Sequence, residues 1–509
     1  MKRYSFLIRL LMLMPVFCAC NEWLEESNFT PSISSSTFYN TPGEAAAAVL
    51  APLDIMRSTS IGGANYFTVL ESMTEYCYTK TGTYQETNYY KDYTNGNLLT
   101  RNDGHWPGFF RSILFCNIPI QRIPNANAMT EDQKTSYLGE LRFIRALNYL
   151  HVVRRWGGVP LRTEDNMAEW DLPKSSVNEI YDFIVNDLKY AVEYCPATPR
   201  MIGTPCKNAA KALLSEVYMY TKDYASAKTL AEEVINSNLY SLVKVSNTRD
   251  FDKVFGPDIA TSSEEVFYIK TSRTDNKLWN YMLYVALPEY EIDGRRMSNG
   301  QGYNTHYLDL RNDIIGNWDQ NDLRYNLNVG PYAFDAARWG EHTAIMIKFY
   351  DYACTGSGSN NNIPLIRYTD VLITYAEALA RVAGSPTAQS IEILNQMRRR
   401  GYGFDPNVEN PELDYKLSDY DTMDKFIDLL IQEEIYERMG EAKHWDFIVR
   451  LGKEKERVAK YFNANGAFNY YDPSVGVQET YYLWRIPLSE FNYNKALDQS
   501  VDQNPGYNL

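Results

Sequence analysis

The chain has little histidine and little cysteine, and it lacks the short motifs on which most enzymes rely. Its five histidines, His105, His151, His306, His342 and His444, are scattered; none falls in an HExxH or a paired spacing that would bind a catalytic zinc ion. A GxSxG elbow, a Walker phosphate loop and a dinucleotide glycine motif are all missing, so hydrolase, nucleotide and dinucleotide chemistry have no motif to stand on. Carboxylate neighbours such as Glu264 and Glu265 say nothing of glycoside hydrolysis, which depends on separation in space. The expectation is a binding protein, not an enzyme, with no cofactor and no metal.

Blocks of positive charge are missing too. Lys and Arg number 50 against 64 Asp and Glu, a formal net charge of −14, which makes nucleic acid and anionic membrane surfaces poor partners. The apolar run from Phe6 to Phe17, interrupted by Arg9 and Pro15, is too short for a bilayer, which takes about 20 residues. With Lys2 and Arg3 before it and Cys18-Ala19-Cys20 after it, the run reads as a signal peptide over residues 1–19. Ala19 directly before Cys20 resembles a lipobox, in which the cysteine is acylated. Cys20 is therefore the expected lipidation site, residues 20–40 the anchor and tether, and residues 41–509 a single domain. Membrane attachment would be through the lipid anchor only, and several acyl chains hold stably where one does not. The acidic residues 21–27 resemble signals that send Bacteroidetes lipoproteins to the outer surface.

After Cys20 the chain has Cys77, Cys116, Cys195, Cys206 and Cys354, an odd set without a CxxC. This fits an exported protein that does not rely on disulfides. For Cys195 and Cys206, buried thiols and a bridge both remain open.

Aromatic residues, by contrast, are abundant: 14% of the chain, with 41 Tyr and 9 Trp. Rings with a flat apolar face and a polar tip suit half-wet recognition surfaces as well as cores. At 509 residues the chain exceeds the length at which one compact core stops growing, roughly 250 to 300 residues, which directs attention to repeats. Over residues 207–240, Ala210, Leu213, Leu214, Val217 and Tyr218, then Tyr224, Ala227, Leu230, Ala231 and Val234, recur at helical spacing on either side of Lys222-Asp223. Small residues at Ser215, Ala227 and Ala231, with Tyr218 and Tyr224 between them, resemble a tetratricopeptide helix pair. A second pair runs from Arg367 to Met397 around Gly384-Ser385-Pro386, where Gly frees the backbone and Pro blocks continuation. Further helices are expected over 43–57, 106–123, 131–155, 174–194 and 422–450, and a strand over 264–269. Two long irregular regions, 60–105 and 245–365, are of a length that usually serves function.

Several stretches resemble the SusD/RagB family, surface lipoproteins of Bacteroidetes nutrient-uptake systems, in the order that family has them. These are Asn21-Glu22-Trp23-Leu24-Glu25 after the lipobox, then Trp106, Phe110, Ile113 and Asn117. Glu140-Leu141-Arg142-Phe143-Ile144-Arg145 to Tyr149 follows, with Arg155-Trp156-Gly157-Gly158-Val159-Pro160. Next come Ile366-Arg367-Tyr368-Thr369-Asp370 and Tyr375-Ala376-Glu377-Ala378-Leu379. The tail Leu483-Trp484-Arg485-Ile486-Pro487 with Gln503-Asn504-Pro505-Gly506-Tyr507 closes the match. The chain departs from the family pattern at Ala442 and His444, where Gly and Arg are usual, and at Arg485, where Pro is usual. The resemblance implies an all-α fold of about four tetratricopeptide-like helix pairs in a right-handed superhelical scaffold, with long loops carrying the ligand face. It also implies an oligosaccharide ligand, an outer-membrane location and a SusC-like TonB-dependent transporter as partner. Peptide capture on the same scaffold, and a tetratricopeptide-type protein–protein adaptor, are the alternatives.

Sugar binding needs ring faces plus amide, carboxylate or guanidinium groups for hydroxyls. From the irregular regions the candidates are Tyr66, Glu71, Tyr89 and Tyr90, then Trp279, Tyr281, Trp318 and Trp339, with Asp319 and Arg324 as polar companions. Trp318 leads because its surroundings, Gly316-Asn317-Trp318-Asp319-Gln320-Asn321-Asp322, are polar. Trp106, Trp156, Trp445 and Trp484 lie in scaffold motifs and are expected in the core.

Overall fold

The computed structural model describes residues 38–58, 61, 64–79, 96–274, 291–292, 295–296, 306–330, 342–353, 359–463 and 482–507. Its first helices are α1 (Pro42–Met56), α2 (Ala64–Ser72), α3 (Gly96–Arg122), α4 (Glu131–Trp156), α5 (Val177–Tyr194), α6 (Lys207–Thr221) and α7 (Tyr224–Asn236). Three short turns of helix follow, α8 (Asp252–Phe255), α9 (Asp313–Gly316) and α10 (Leu323–Asn328). Then come α11 (Tyr368–Ala383), α12 (Ala388–Gly401), α13 (Met423–Arg438), α14 (His444–Leu451) and α15 (Glu454–Asn463), with α16 (Leu488–Tyr493) and α17 (Gln499–Asp502) near the end.

Helices begin where the sequence supplies a cap. Thr41 with Glu44, Thr130 with Gln133 and Ser176 with Glu179 form reciprocal capping boxes at α1, α4 and α5, each satisfying amides that the first turn leaves without partners. Lys222 in left-handed backbone and the Asp223 cap turn α6 into α7. Gly384 and the Thr387 cap do the same between α11 and α12. Along the chain α4 packs on α5, α6 on α7, α11 on α12 and α13 on α14, and α7 meets α11 across the intervening loop-rich segment. Ala227 of α7 shares a buried cluster with Met219 and Ala378, against which Tyr218 and Tyr224 lean. Small side chains there let helices approach closely, which is the tetratricopeptide-like packing the spacing predicts.

Strands are few among the described residues. β1 (Cys77–Thr79), β5 (His306–Asp309) and β6 (Thr343–Ile345) form an antiparallel sheet with β5 in the middle. β2 (Glu265–Ile269), the strand expected from sequence, pairs with β7 (Ile363–Arg367), and the two-residue strands β3 (Glu291–Ile292) and β4 (Arg295–Arg296) pair with each other. The regions expected to be irregular are thus partly ordered, the first by α2, β1 and the start of α3, the second by α8, α9, α10 and the remaining strands.

One expected helix is divided. Residues 422–450 form α13 and α14 because the backbone turns through left-handed Gly440 (φ 77°) and Ala442 (φ 57°) between them. Their amides donate to the buried Glu71 carboxylate at 3.0 and 2.9 Å. Burial raises the Glu71 pKa, and the two amide hydrogen bonds to its carboxyl offset the strain of left-handed Ala442.

Trp106, Trp156, Trp445 and Trp484 are all buried, as their motifs predict. Trp156 meets Trp106 and Trp484 edge to face at 5.3 and 5.4 Å. Asn504 in the tail donates to the carbonyls of Trp156 and Trp484 at 3.0 and 2.7 Å. Gly157, at φ 67°, lets α4 end sharply beneath it. Two motifs far apart in sequence are thereby one structural joint. Cys77, Cys116, Cys195 and Cys206 are buried free thiols, so Cys195 and Cys206 are not bridged. Cys20 and Cys354 lie outside the described residues.

Beneath α13 the core contains charge. Arg367 donates to Glu264 at 3.1 Å, to Glu437 at 2.7 Å and to Glu441 at 2.8 and 2.9 Å. Arg400 pairs with Glu264 at 2.8 Å and with Glu437, and Lys348 with Glu441 at 2.6 Å. Burial opposes charge on Glu441, but Arg367, Lys348 and Lys443 outweigh it and hold its carboxyl well below the usual range. Burial dominates at Lys348 and lowers its ammonium to about 8. Such a cluster is stable while complete, because losing one member leaves a buried charge without compensation.

Candidate functional site

An adjoining face of α13 borders open space. Lys425, Asp428, Leu429, Gln432, Ile435 and Tyr436 recur at three- and four-residue steps and therefore share one side of the helix. Glu456, Arg457, Lys460 and Tyr461 of α15 face them. Asp313, Ile314 and Asn317, from α9 and its exit, and Asp419 and Tyr420, from the approach to α13, complete a groove of about 490 Å³. Tyr420, Tyr436 and Tyr461 are half-buried, while Asn317 and Gln432 are exposed. Burial pushes the Tyr420 and Tyr436 phenols up, so both stay protonated as hydroxyl donors and acceptors.

The groove wall has a rigid backing. Trp318 is buried, only 3% exposed, and lies flat on Tyr436 with centroids 4.1 Å apart and planes 12° from parallel. Tyr325 meets Trp318 edge-on at 5.7 Å. Below them Arg324 donates to Asp322 at 2.7 Å and to Glu433 at 2.9 Å. Gly401 is obligatory beside this pair, since a Cβ there would sit 2.5 Å from Arg324 Nε. Tyr415 donates to the other oxygen of Glu433 at 2.6 Å.

The structure corrects four of the sequence-predicted site residues. Trp318 packs against Tyr436 instead of offering its face to a ligand; a polar sequence neighbourhood hid the apolar partners that α10 and α13 bring. Arg324 is buried among Asp322, Glu433 and Glu437 and is spent on them. Tyr66 is buried, its hydroxyl 3.1 Å from His151 Nδ1 and its ring against Phe109 and Trp484. Glu71 is buried beneath the α13–α14 turn and also accepts from the Tyr76 hydroxyl at 2.7 Å. Asp319 is exposed, and its carboxylate accepts from the Asn321 amide at 2.9 Å and the Tyr402 hydroxyl at 2.9 Å. Those bonds, the amide first, lower its pKa. Trp318, Asp319 and Arg324 thus belong to one neighbourhood at the back of the groove, while Tyr66 and Glu71 belong to another around α2. Tyr89, Tyr90, Trp279, Tyr281 and Trp339 lie outside the described residues.

The groove-lining Asn317, Tyr420, Gln432, Tyr436 and Tyr461 were missed by reasoning from loops. Their signal was the polar and tyrosine positions at helical spacing in residues 425–436, a pattern that reads equally as an ordinary solvated helix face. Among the described residues no group of His, Cys, Asp and Glu is arranged to hold a metal ion.

Two family models match the chain, one described as "Starch-binding associating with outer membrane" over residues 27–219 and one described as "SusD family" over residues 293–507. The chain belongs to the SusD-like family. SusD-like protein P38 of Formosa agariphila is 24% identical, the match covering 98% of this chain and 99% of that one. A SusD homolog from Bacteroides thetaiotaomicron superposes with a TM-score of 0.78 at 20% identity, covering 94% of this chain and 99% of the other. A laminarin-binding SusD-like protein superposes with a TM-score of 0.69 at 20% identity, covering 92% and 100%. At these identities the solved structures establish the shared fold, and the tetratricopeptide-like helix pairs of this SusD-like chain are that fold's scaffold. No helix among the described residues is long and apolar enough to cross a membrane.

Proposed function

We propose that this SusD-like chain is a nutrient-binding lipoprotein, not an enzyme, that captures an oligosaccharide at the cell surface and passes it to a SusC-like TonB-dependent transporter. In this reading residues 1–19 are removed, Cys20 carries the lipid, and residues 20–40 tether the domain to the outer membrane. The observation that carries the reading is the α13–α15 groove, where three half-buried tyrosines and exposed amides share an open cleft. Ring surface accommodates the C–H face of a sugar, and amide and phenol groups exchange hydrogen bonds with its hydroxyls. The family and the laminarin-binding neighbour support the same ligand class. A ring contact of this kind contributes on the order of 1 kcal/mol, so capture depends on several acting together.

The test is titration calorimetry of the mature protein against an oligosaccharide panel with peptides as controls. Binding of at least one oligosaccharide, weakened about tenfold by Tyr420→Ala combined with Tyr461→Ala, is the expected result. Binding of peptides alone would overturn the ligand class, and an unchanged affinity in the double variant would overturn the groove.

A further inference from the structure

We infer that the α13–α15 groove selects uncharged oligosaccharides and turns away those bearing uronate or sulfate groups. This rests on the glycan-capture reading above and adds the substrate class. Four exposed carboxylates line the groove, Asp313, Asp419, Asp428 and Glu456. Its cations are mostly committed elsewhere. Arg457 is buried and donates to Glu75 at 2.6 Å, and Lys425 pairs with Asp421 at 2.8 Å. Lys460 lies over the Tyr461 ring at 4.9 Å, so its charge is already directed at a groove-wall aromatic. Outside the lining, Lys453 approaches Glu456 at 3.2 Å and Asp428 at 3.9 Å, tempering those two carboxylates without presenting a cation to the cleft.

For a neutral sugar this wall is favourable. Ionised carboxylates accept shorter and stronger hydrogen bonds from hydroxyls than neutral acceptors do. For an acidic sugar the same groups repel. A ligand charge about 6 to 7 Å from one carboxylate in high dielectric loses roughly threefold in affinity, and salt reduces this to about twofold. Four such groups, one offset by Lys460 and one by the Lys453 that approaches both Asp428 and Glu456, leave about two uncompensated charges and give discrimination of roughly fourfold at physiological salt and about tenfold at low salt. Rejection by repulsion is an ordinary route to specificity.

The test measures the affinity of the mature protein for neutral oligosaccharides, oligogalacturonates and sulfated galactan oligomers at low and physiological salt. The readout is the ratio of acidic to neutral affinity, repeated in a variant combining Asp313→Asn, Asp428→Asn and Glu456→Gln. The expected result is neutral ligands favoured roughly fourfold at physiological salt and about tenfold at low salt, with the ratio moving toward parity in the variant. Acidic ligands bound as well as neutral ones, or a ratio the variant does not move, would overturn the selectivity. Binding of no glycan of any class is a different failure, that of the capture reading itself, which takes the selectivity down with it.

Discussion

α13 carries charge on both of its faces, and the two faces meet different fates. On the inner face Glu433 and Glu437 are buried and fully engaged by Arg324, Arg367 and Arg400. On the outer face Asp428, Gln432 and Tyr436 border the groove; Asp428 and Gln432 are exposed, and Tyr436 turns one face to Trp318. Buried charge must be paired to persist, so the inner face specifies one arrangement of α11, α12 and α13. Exposed polar groups bear no such constraint and remain available to a ligand. The same helix thereby supplies scaffold and site, separated by about a third of a turn.

That division is broken most severely by removing a central cation. Arg367→Ala leaves Glu264, Glu437 and Glu441 short of a partner and is expected to destabilise the fold by about 3 to 5 kcal/mol in chemical denaturation. Trp318→Ala empties a large buried site behind Tyr436, with an expected loss of about 3 to 5 kcal/mol in the same assay. A surface-ring role for Trp318 predicts instead an unchanged denaturation midpoint.

A third effect is pH-dependent. His444 Nε2 lies 2.9 Å from Glu75, its Nδ1 contacts Glu434, and Arg457 adds a 2.6 Å bond to Glu75. Burial opposes charge on His444, but Glu75 and Glu434 outweigh it and raise its pKa from 6.5 to about 9. A raised folded pKa contributes stability that is fully present below 6.5 and is lost as pH rises through about 9. The contribution is on the order of 3 kcal/mol. The thermal midpoint is therefore expected to fall between those pH values, and His444→Arg, which keeps a cation beside Glu75 and Glu434 at every pH, is expected to flatten the fall. A wild-type midpoint constant across that window would contradict the charged pairing of His444 with Glu75 and Glu434.

The smallest effect belongs to the outer face. Gln432→Ala is expected to leave the denaturation midpoint within about 0.5 kcal/mol of wild type while weakening oligosaccharide binding severalfold. A large stability loss would place Gln432 with the scaffold instead.

The scaffold was legible in the sequence because helix spacing, caps and turn residues act locally. The Lys222-Asp223 and Gly384 turns and the small residues at Ala227 and Ala231 could be read directly. The break between α13 and α14 has a local mark in Gly440, but the carboxyl that holds the turn, Glu71, is several hundred residues away. The same limit hid the fate of Trp318, whose polar neighbours in sequence are not its neighbours in space. Arg324 had a pairing partner two positions away in Asp322, but Glu433 and Glu437 arrive from a distant helix. The groove eluded a search of loops because two helices and their flanking turns form it.

The most direct test of the two-faced helix is calorimetry of one neutral oligosaccharide that the mature protein binds, set beside denaturation of the same samples, for Tyr436→Ala and Tyr461→Ala. Both variants are expected to weaken binding, about tenfold or more for Tyr436→Ala and severalfold for Tyr461→Ala, with a stability loss confined to Tyr436→Ala because only that ring also covers Trp318. Binding unchanged in both variants would contradict the groove as the ligand face.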